Sequence, residues 1–236
     1  MLIRAHLLEI PYPKKMLAEW TAECSEDAPT LVVPWSAPEI GVEFVDLRSN
    51  PYDIADIPEA ERFPALGRAL RALNATRSPF FTAKCDAWAL PSKERAGDLE
   101  TLRLELDLQE DEAQAGFASY IDLVWRERIV FASAHQYSTR LDRITRRAAK
   151  LPHSEAMLQC VLRPAILDLG MPLEGYAISV YVSALGHDSE IAAARWSAAL
   201  EDVVNLLRSR DLEPAKGSAT IDTQERPSAP RVRVGE

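Results

Sequence analysis

The chain has 236 residues, of which 47% are apolar and 27% are charged, and its formal net charge is −9. These proportions are typical of a globular protein, and the length allows one large domain or two of about 100 residues each. The negative charge argues against general binding to nucleic acid or to anionic lipid, since both need a basic surface. No apolar stretch reaches the roughly 18 residues of a transmembrane helix, so no membrane association is expected.

The N-terminal segment and the cysteines bear on the cellular compartment. A secretory signal peptide has an uninterrupted apolar centre, whereas Arg4 and His6 interrupt the apolar stretch here. Cys24, Cys85 and Cys160 are odd in number and far apart in the sequence, which is not the pattern of a disulfide framework. The sequence therefore predicts a cytoplasmic protein.

Apolar periodicity predicts six elements in the first 91 residues. The second helix of this part places Phe63, Leu66, Leu70 and Leu73 on one face, and Pro64 fits its first turn because proline has no N–H to donate. The predicted order is β-α-β-β-α-β, with the elements at residues 2–8, 14–24, 30–35, 42–47, 61–74 and 80–90.

The clearest alternation in the chain is at residues 101–109, where every second residue from Leu102 to Leu108 is leucine and the three residues between them are charged. This pattern predicts a strand with one buried face, paired in a hairpin with a strand at 117–125. A long helix ending at Pro152 and a last helix capped by Asp188 or Ser189 follow from helical spacing and capping chemistry. The apolar stripe of the last helix consists of Trp196, Leu200, Val203 and Leu207. The remaining predicted elements are strands at 156–167, 176–186 and 218–222.

The β-α-β-β-α-β order therefore occurs twice, and it is the order of a ferredoxin-like unit. We predict an α+β protein with two ferredoxin-like units, largely antiparallel sheets and helices packed on one face. The first unit spans residues 1–91, and a polar connector spans 92–100. The second unit spans 101–223 with an extra N-terminal hairpin strand, and residues 224–236 form a polar tail with too few apolar residues to pack.

Several catalytic and cofactor motifs are missing from the sequence. The glycine-rich phosphate-binding patterns G-x-x-x-x-G-K-[ST] and G-x-G-x-x-G do not occur, and neither does the hydrolase pattern G-x-S-x-G. The four histidines are far from each other and from the cysteines, so the short ligand spacings of zinc sites are absent. We expect no cofactor and no metal.

A catalytic site would have to be assembled from distant positions. Cys85 is predicted to share an apolar strand face with Phe81, Ala83 and Ala87, which favours a buried structural thiol over a nucleophile. His187 precedes Asp188, and a helix-capping role for Asp188 is the simpler interpretation of that pair. Tyr120 is predicted on a solvent-facing side of its strand, together with Asp122. The first residues to test for catalysis are His187, His135, Cys85, Asp122 and Arg163.

A basic surface is predicted on the long helix, opposite the stripe that contains Leu141 and Ile144. A solvated helix surface is the simpler interpretation of these charges, and docking of an acidic partner or a small anion is the functional one. The acidic stretch at 98–112 could complement the basic surface within one molecule or between copies. The basic residues are Arg140, Arg143, Arg146, Arg147 and Lys150.

Two functional hypotheses follow. The first is a non-enzymatic protein that binds a partner protein or a small ligand, with self-association through the basic helix surface as one form of it. The second is a small enzyme. Titratable groups clustered in a concave pocket would favour the enzyme, whereas a broad flat patch would favour a protein partner.

Overall fold

The computed structural model describes residues 15–37, 41–91, 97–209 and 212. Within these residues the strands are β1 (Leu17–Ala22), β2 (Leu31–Val33), β3 (Ser36–Ala37), β4 (Val42–Glu43), β5 (Phe80–Leu90), β6 (Ala115–Trp125), β7 (Ala156–Asp168) and β8 (Pro172–Gly186). The helices are α1 (Pro58–Arg62), α2 (Pro64–Asn74), α3 (Asp98–Glu105), α4 (Arg128–Phe131), α5 (Ala134–Ala148) and α6 (Ser189–Leu207). A 3-10 turn (Pro51–Asp56) precedes α1.

Six of the strands form one open, mostly antiparallel sheet. Its order is β1-β7-β8-β6-β5, and β2 pairs with β7 further along the same edge as β1. The pairs β5–β6, β6–β8 and β7–β8 are antiparallel, whereas β1 and β2 run parallel to β7. The protein is therefore a mixed α+β protein, as the sequence predicts.

The structure does not confirm the two predicted ferredoxin-like units, because strands from both parts of the chain join one sheet. β5 pairs along its length with β6, and β1 and β2 both pair with β7. The domain boundary at residues 92–100 stays a prediction, although residues 98–100 already belong to α3. The predicted strands at 2–8 and 218–222 and the predicted tail at 224–236 lie outside the described residues.

The predicted helix at residues 14–24 is wrong, since Leu17–Ala22 forms strand β1. Ala18 and Trp20 pack on the main core, whereas Leu17 packs on the opposite side of the sheet. The edge of β7 offers backbone partners from Met157 to Leu162. This pairing outweighs the local helical spacing of apolar residues, because tertiary contacts override weak intrinsic propensity.

The predicted strand at residues 101–109 is also wrong, and so is its hairpin with 117–125, because Asp98–Glu105 forms helix α3. Leu102 and Leu106 are 6% and 7% exposed, whereas Leu104 is 71% exposed. Leu99, Leu102 and Leu106 follow the three- and four-residue spacing of one helix face. The leucines therefore fit both the two-residue period of a strand and the period of a helix. The segment is also rich in Leu, Glu and Arg, which favour a helix.

Substitutions in α3 give a test of this correction. We expect Leu104→Lys to change the free energy of unfolding by less than about 0.5 kcal/mol, since its side chain is already in solvent. Leu106→Ala should cost about 2–5 kcal/mol, because it removes buried methyl groups and leaves a cavity. Urea denaturation of both variants measures the difference. A large loss from both substitutions would instead indicate a strand with all its leucines on one buried face.

The main core lies between one face of the sheet and helices α2, α5 and α6. The predicted stripes of α5 and α6 are confirmed, since Leu141, Ile144 and Trp196 are among their buried residues. The predicted cap of α6 is confirmed as well, because Asp188 accepts a hydrogen bond of 2.8 Å from the N–H of Ile191. None of the helices in the described residues combines the length and the apolar character needed to cross a bilayer.

The other face of the sheet has apolar packing only at its two ends. At one end Leu102 of α3 and Leu106, directly after this helix, pack with Leu185. At the other end Val33 of β2 packs with Phe81 and neighbouring apolar residues. No helix of the described residues packs over the middle of this face, where the side chains are polar.

Candidate functional site

The uncovered middle of the sheet carries two rows of polar and aromatic side chains. Successive residues of a strand point to opposite faces of the sheet. Residues that are paired across neighbouring strands, and residues two apart in one strand, therefore lie on the same side. The first row runs across the sheet through Lys84, Asp122 and Ser179. Arg163 of β7 lies on the same side of the sheet, next to this row. The second row runs through Asp86, Tyr120, Tyr181 and Gln159.

Two cavities lie over these rows, and together we call them the open-face groove. The first has a volume of about 330 Å³, with the chain at Pro29–Leu31 at its border. The second has a volume of about 360 Å³ and extends around the edge strand β5 to Trp35. Lys84 and Tyr120 line both cavities. Each volume lies near the lower end of the range found for small-molecule sites.

Asp122 is the most deeply buried charged group of the groove, with an exposure of 7%. Ser179 Oγ donates a hydrogen bond of 2.6 Å to Asp122 Oδ1. Burial raises the pKa of Asp122, an effect that the Ser179 hydrogen bond and the charges of Arg163 and Lys84 offset only in part. Among the described residues no cation forms an ion pair with this carboxylate.

The two cations near Asp122 have partners elsewhere. Arg163 Nη2 lies 3.0 Å from Glu23 Oε2, and the buried Nε of Arg163 has no hydrogen-bond partner. Lys84 Nζ lies 4.9 Å from the ring centroid of Trp35, a cation–π distance. The groove therefore contains a buried carboxylate whose neighbouring cations are held by other groups.

Aromatic rings border the carboxylate along the second row. The ring centroids of Trp88 and Tyr120 are 6.3 Å apart, and those of Tyr120 and Tyr181 are 5.8 Å apart. Burial, followed by the charges of Asp122 and Asp86, raises the pKa of Tyr120, so its phenol stays neutral. The rings provide flat apolar surfaces beside a polar centre.

Two of the five residues predicted as catalytic candidates lie together on the open face, and a third lies nearby on the other face of β5. Asp122 and Arg163 line the first cavity, and Cys85 lines the second. The structure places the remaining two elsewhere, since His135 is exposed at the start of α5 and His187 is exposed before α6. The catalytic role predicted for these five residues stays a prediction.

The histidines and acidic residues of the described ranges do not gather into a metal site, since no three His, Cys, Asp or Glu side chains are suitably placed there. His187 Nδ1 lies 2.9 Å from Asp188 Oδ2, and His153 Nε2 lies 2.8 Å from Asp202 Oδ2. These are two separate pairs, each between a histidine and one carboxylate.

The prediction that Cys85 shares a strand face with Phe81 and Ala83 is wrong, whereas Ala87 does lie on the same face as Cys85. The register of β5 shifts between Thr82 and Lys84, so Cys85 points to the side opposite Phe81. A bulge of this kind inserts one residue and reverses the alternation after it. Burial, followed by the charges of Glu59, Asp86 and Asp122, raises the pKa of Cys85 to about 12. A thiol with this pKa stays protonated, which supports a structural role.

The predicted basic surface of α5 is only partly free of internal contacts. Arg140 Nη1 donates to Gln136 Oε1 at 2.6 Å, and Arg147 Nη1 donates to Ser209 Oγ at 3.2 Å. Helix α5 packs on the helix-covered face of the sheet, whereas α3 packs on the opposite face. The acidic stretch at 98–112 therefore does not cover α5 within one molecule. Docking on the basic surface stays a prediction, with Arg143, Arg146 and Lys150 as its exposed residues.

Sequence reasoning missed Lys84, Ser179 and Tyr181 as groove residues. Their signal is alternation, because Ser179 and Tyr181 alternate with Ile178 and Val180. Such alternation shows which residues face away from the core but not which strand lies beside which. Only the register of β5, β6 and β8 brings these residues next to Asp122.

Comparison of this chain with protein-family models, with curated proteins and with solved structures finds no match. The chemistry and shape of the groove therefore provide the basis for a functional proposal.

Proposed function

We propose that the protein is a non-enzymatic cytoplasmic protein that binds a small ligand in the open-face groove. The observation that carries this proposal is the burial of Asp122 in the lining of a cavity, without a cationic partner among the described residues. Burying a carboxylate without a paired charge destabilises a fold. Perturbed charged groups of this kind cluster at functional sites.

The shape of the site supports a small ligand over a protein partner. The two cavities are concave and of small-molecule size. A stable protein interface buries about 800 Å² on each partner, which a groove of this kind does not offer alone. The cytoplasmic location is supported by the cysteines Cys24, Cys85 and Cys160, all of which are free.

The alternative is a small enzyme, which is favoured by the titratable groups that line the concave cavities and by one contact. The distance of 2.6 Å from Ser179 Oγ to Asp122 Oδ1 is typical of a nucleophile and its base. Ser179 is in the middle of β8, however, where its neighbouring strands are β6 and β7 on either side. Their backbone N–H groups are directed into the sheet ladders, so they do not offer an oxyanion site beside Ser179. Binding is therefore the better-supported function.

A fragment screen followed by NMR tests the proposal. We expect fragments that bind to shift the amide signals of β5, β6 and β8, and we expect Tyr181→Ala to weaken them at least tenfold by removing a wall of the cavity. Tyr52→Ala is the matched control, because Tyr52 is 87% exposed and does not line the groove. The proposal fails if no fragment binds, or if the bound fragments shift signals on another surface.

A further inference from the structure

We infer that the ligand of the open-face groove carries a cationic nitrogen, an ammonium or a guanidinium, that binds Asp122 while its adjoining apolar part packs against Tyr120 and Tyr181. This inference rests on the proposed function and names the chemical class of the ligand. Its evidence is the hydrogen bonding, the charges and the rings around Asp122.

The hydrogen bonding of Asp122 leaves one oxygen available. Ser179 donates to Oδ1 at 2.6 Å, and no described group donates to Oδ2. Asp122 lines the first cavity, so an N–H group of a ligand in that cavity can reach the free oxygen. Hydrogen bonds between a cationic donor and a carboxylate are about twice as strong as neutral ones.

The charges of the groove favour a cation over an anion. Arg163 is paired with Glu23 at 3.0 Å, and Lys84 lies over the ring of Trp35. Asp122 and Asp86 have no ion-pair partner among the described residues, so an anion bound beside Lys84 would meet two carboxylates. The net charge of −9 also attracts cations to the protein from solution.

The two tyrosines complete the site. Their ring centroids are 5.8 Å apart, and neither hydroxyl has a hydrogen-bond partner among the described residues. A cation close to a tyrosine face is attracted by the ring, and an apolar group beside the nitrogen gains contact with the same surface. A carboxylate next to aromatic rings thus matches an amine that carries an apolar substituent.

The inference predicts how binding depends on pH. The amine binds the ionised form of Asp122, and burial raises the pKa of this carboxyl group in the free protein. Affinity should therefore fall as the pH is lowered through the pKa of Asp122, whereas an exposed carboxylate would keep the amine bound to lower pH. The titratable and charged groups on the same face as Asp122 are Lys84 and Asp86 of β5, Tyr120 of β6, Arg163 of β7 and Tyr181 of β8, and Cys85 lies beside them on the other face of β5.

Isothermal titration calorimetry with three matched probes tests the inference on the full chain. Phenethylamine, 2-phenylethanol and phenylacetate share one ring and differ in their end group. We expect phenethylamine to bind at least tenfold more tightly than the other two. Asp122→Asn should remove this preference by lowering the affinity for the amine at least tenfold, with little change for the alcohol. Asp168→Asn, at the exposed end of β7, is the matched control and should bind like the wild type.

Thermal denaturation of Asp122→Asn shows whether the variant is folded. We expect it to be at least as stable as the wild type at pH 7, because burial disfavours the charged carboxylate that asparagine replaces. The inference is overturned if the alcohol or the acid binds as tightly as the amine, or if Asp122→Asn leaves amine binding unchanged. If, in addition, no fragment of any class binds in the groove, the proposed function fails as well.

Discussion

Replacing Trp196 with alanine should lower the free energy of unfolding by about 3–5 kcal/mol, the range for removing a large buried aromatic side chain. The indole is 3% exposed, and its centroid lies 4.5 Å from that of Phe117 and 6.4 Å from that of Phe63. Its Nε1 also donates a hydrogen bond of 2.9 Å to Ser119 Oγ. Urea denaturation followed by circular dichroism measures the loss.

Two further substitutions separate the contributions of Trp196. Trp196→Phe keeps a ring on Phe117 but removes the donor to Ser119, so we expect a smaller loss of about 1–3 kcal/mol. Trp20→Ala is the matched control, because the Trp20 indole is only half-buried and donates to Asp142 in an exposed contact. A loss from Trp20→Ala as large as that from Trp196→Ala would contradict the position of the core between α6 and the sheet.

The importance of Trp196 was predictable because α6 buries one continuous stripe. In such a helix the apolar residues repeat at the helical period over several turns, and no other regular structure fits that repeat. The same reasoning correctly predicts α5 through Leu141 and Ile144. Apolar periodicity fails to predict β1 and α3, since the apolar residues of a short segment fit the period of a helix and the period of a strand equally well. Tertiary contacts, with β7 for β1 and with Leu185 for α3, then determine the structure.

The candidate site was predictable in part for a related reason. Alternation in one strand correctly places Tyr120 and Asp122 on a side away from the main core. Their neighbours Lys84 and Ser179 are far away in the sequence, and pairing between distant strands leaves no local pattern. The bulge before Lys84 shows the limit most clearly, because one inserted residue reverses which side chains of β5 face the groove.

In the middle of the sheet, the residues that would favour stability are apolar, whereas the proposed function needs a buried carboxylate. The burial that raises the pKa of Asp122 is a cost to the folded protein, and an apolar residue would avoid it. The apolar ends of the same face show that the fold can cover its strands with leucine and phenylalanine. A polar centre kept between two such ends is expected of a site retained for binding.

The substitution Gly175→Ala should destabilise the protein by about 3 kcal/mol, at the upper end of the range for overpacked cores. A Cβ atom on Gly175 would approach the carbonyl oxygen of Phe131 to within 2.5 Å and meet its ring carbons at 2.5 and 2.7 Å. The backbone oxygen cannot rotate away as a flexible side chain can, so α4 would have to move. Phe131 also belongs to the apolar cluster at one end of the open face, so its displacement would disturb that end of the groove.

Gly97→Ala is the matched control for Gly175→Ala, because nothing lies within 4 Å of a Cβ atom at residue 97. We expect this control to change the free energy of unfolding by less than about 0.5 kcal/mol in the same urea experiment. A similarly small change for Gly175→Ala would mean that α4 moves freely and does not fix the end of the groove. The sequence contains a signal for this position, since a glycine inside a strand often marks the close approach of another backbone. The signal does not identify the partner, and only the packing of α4 on β8 shows it to be Phe131.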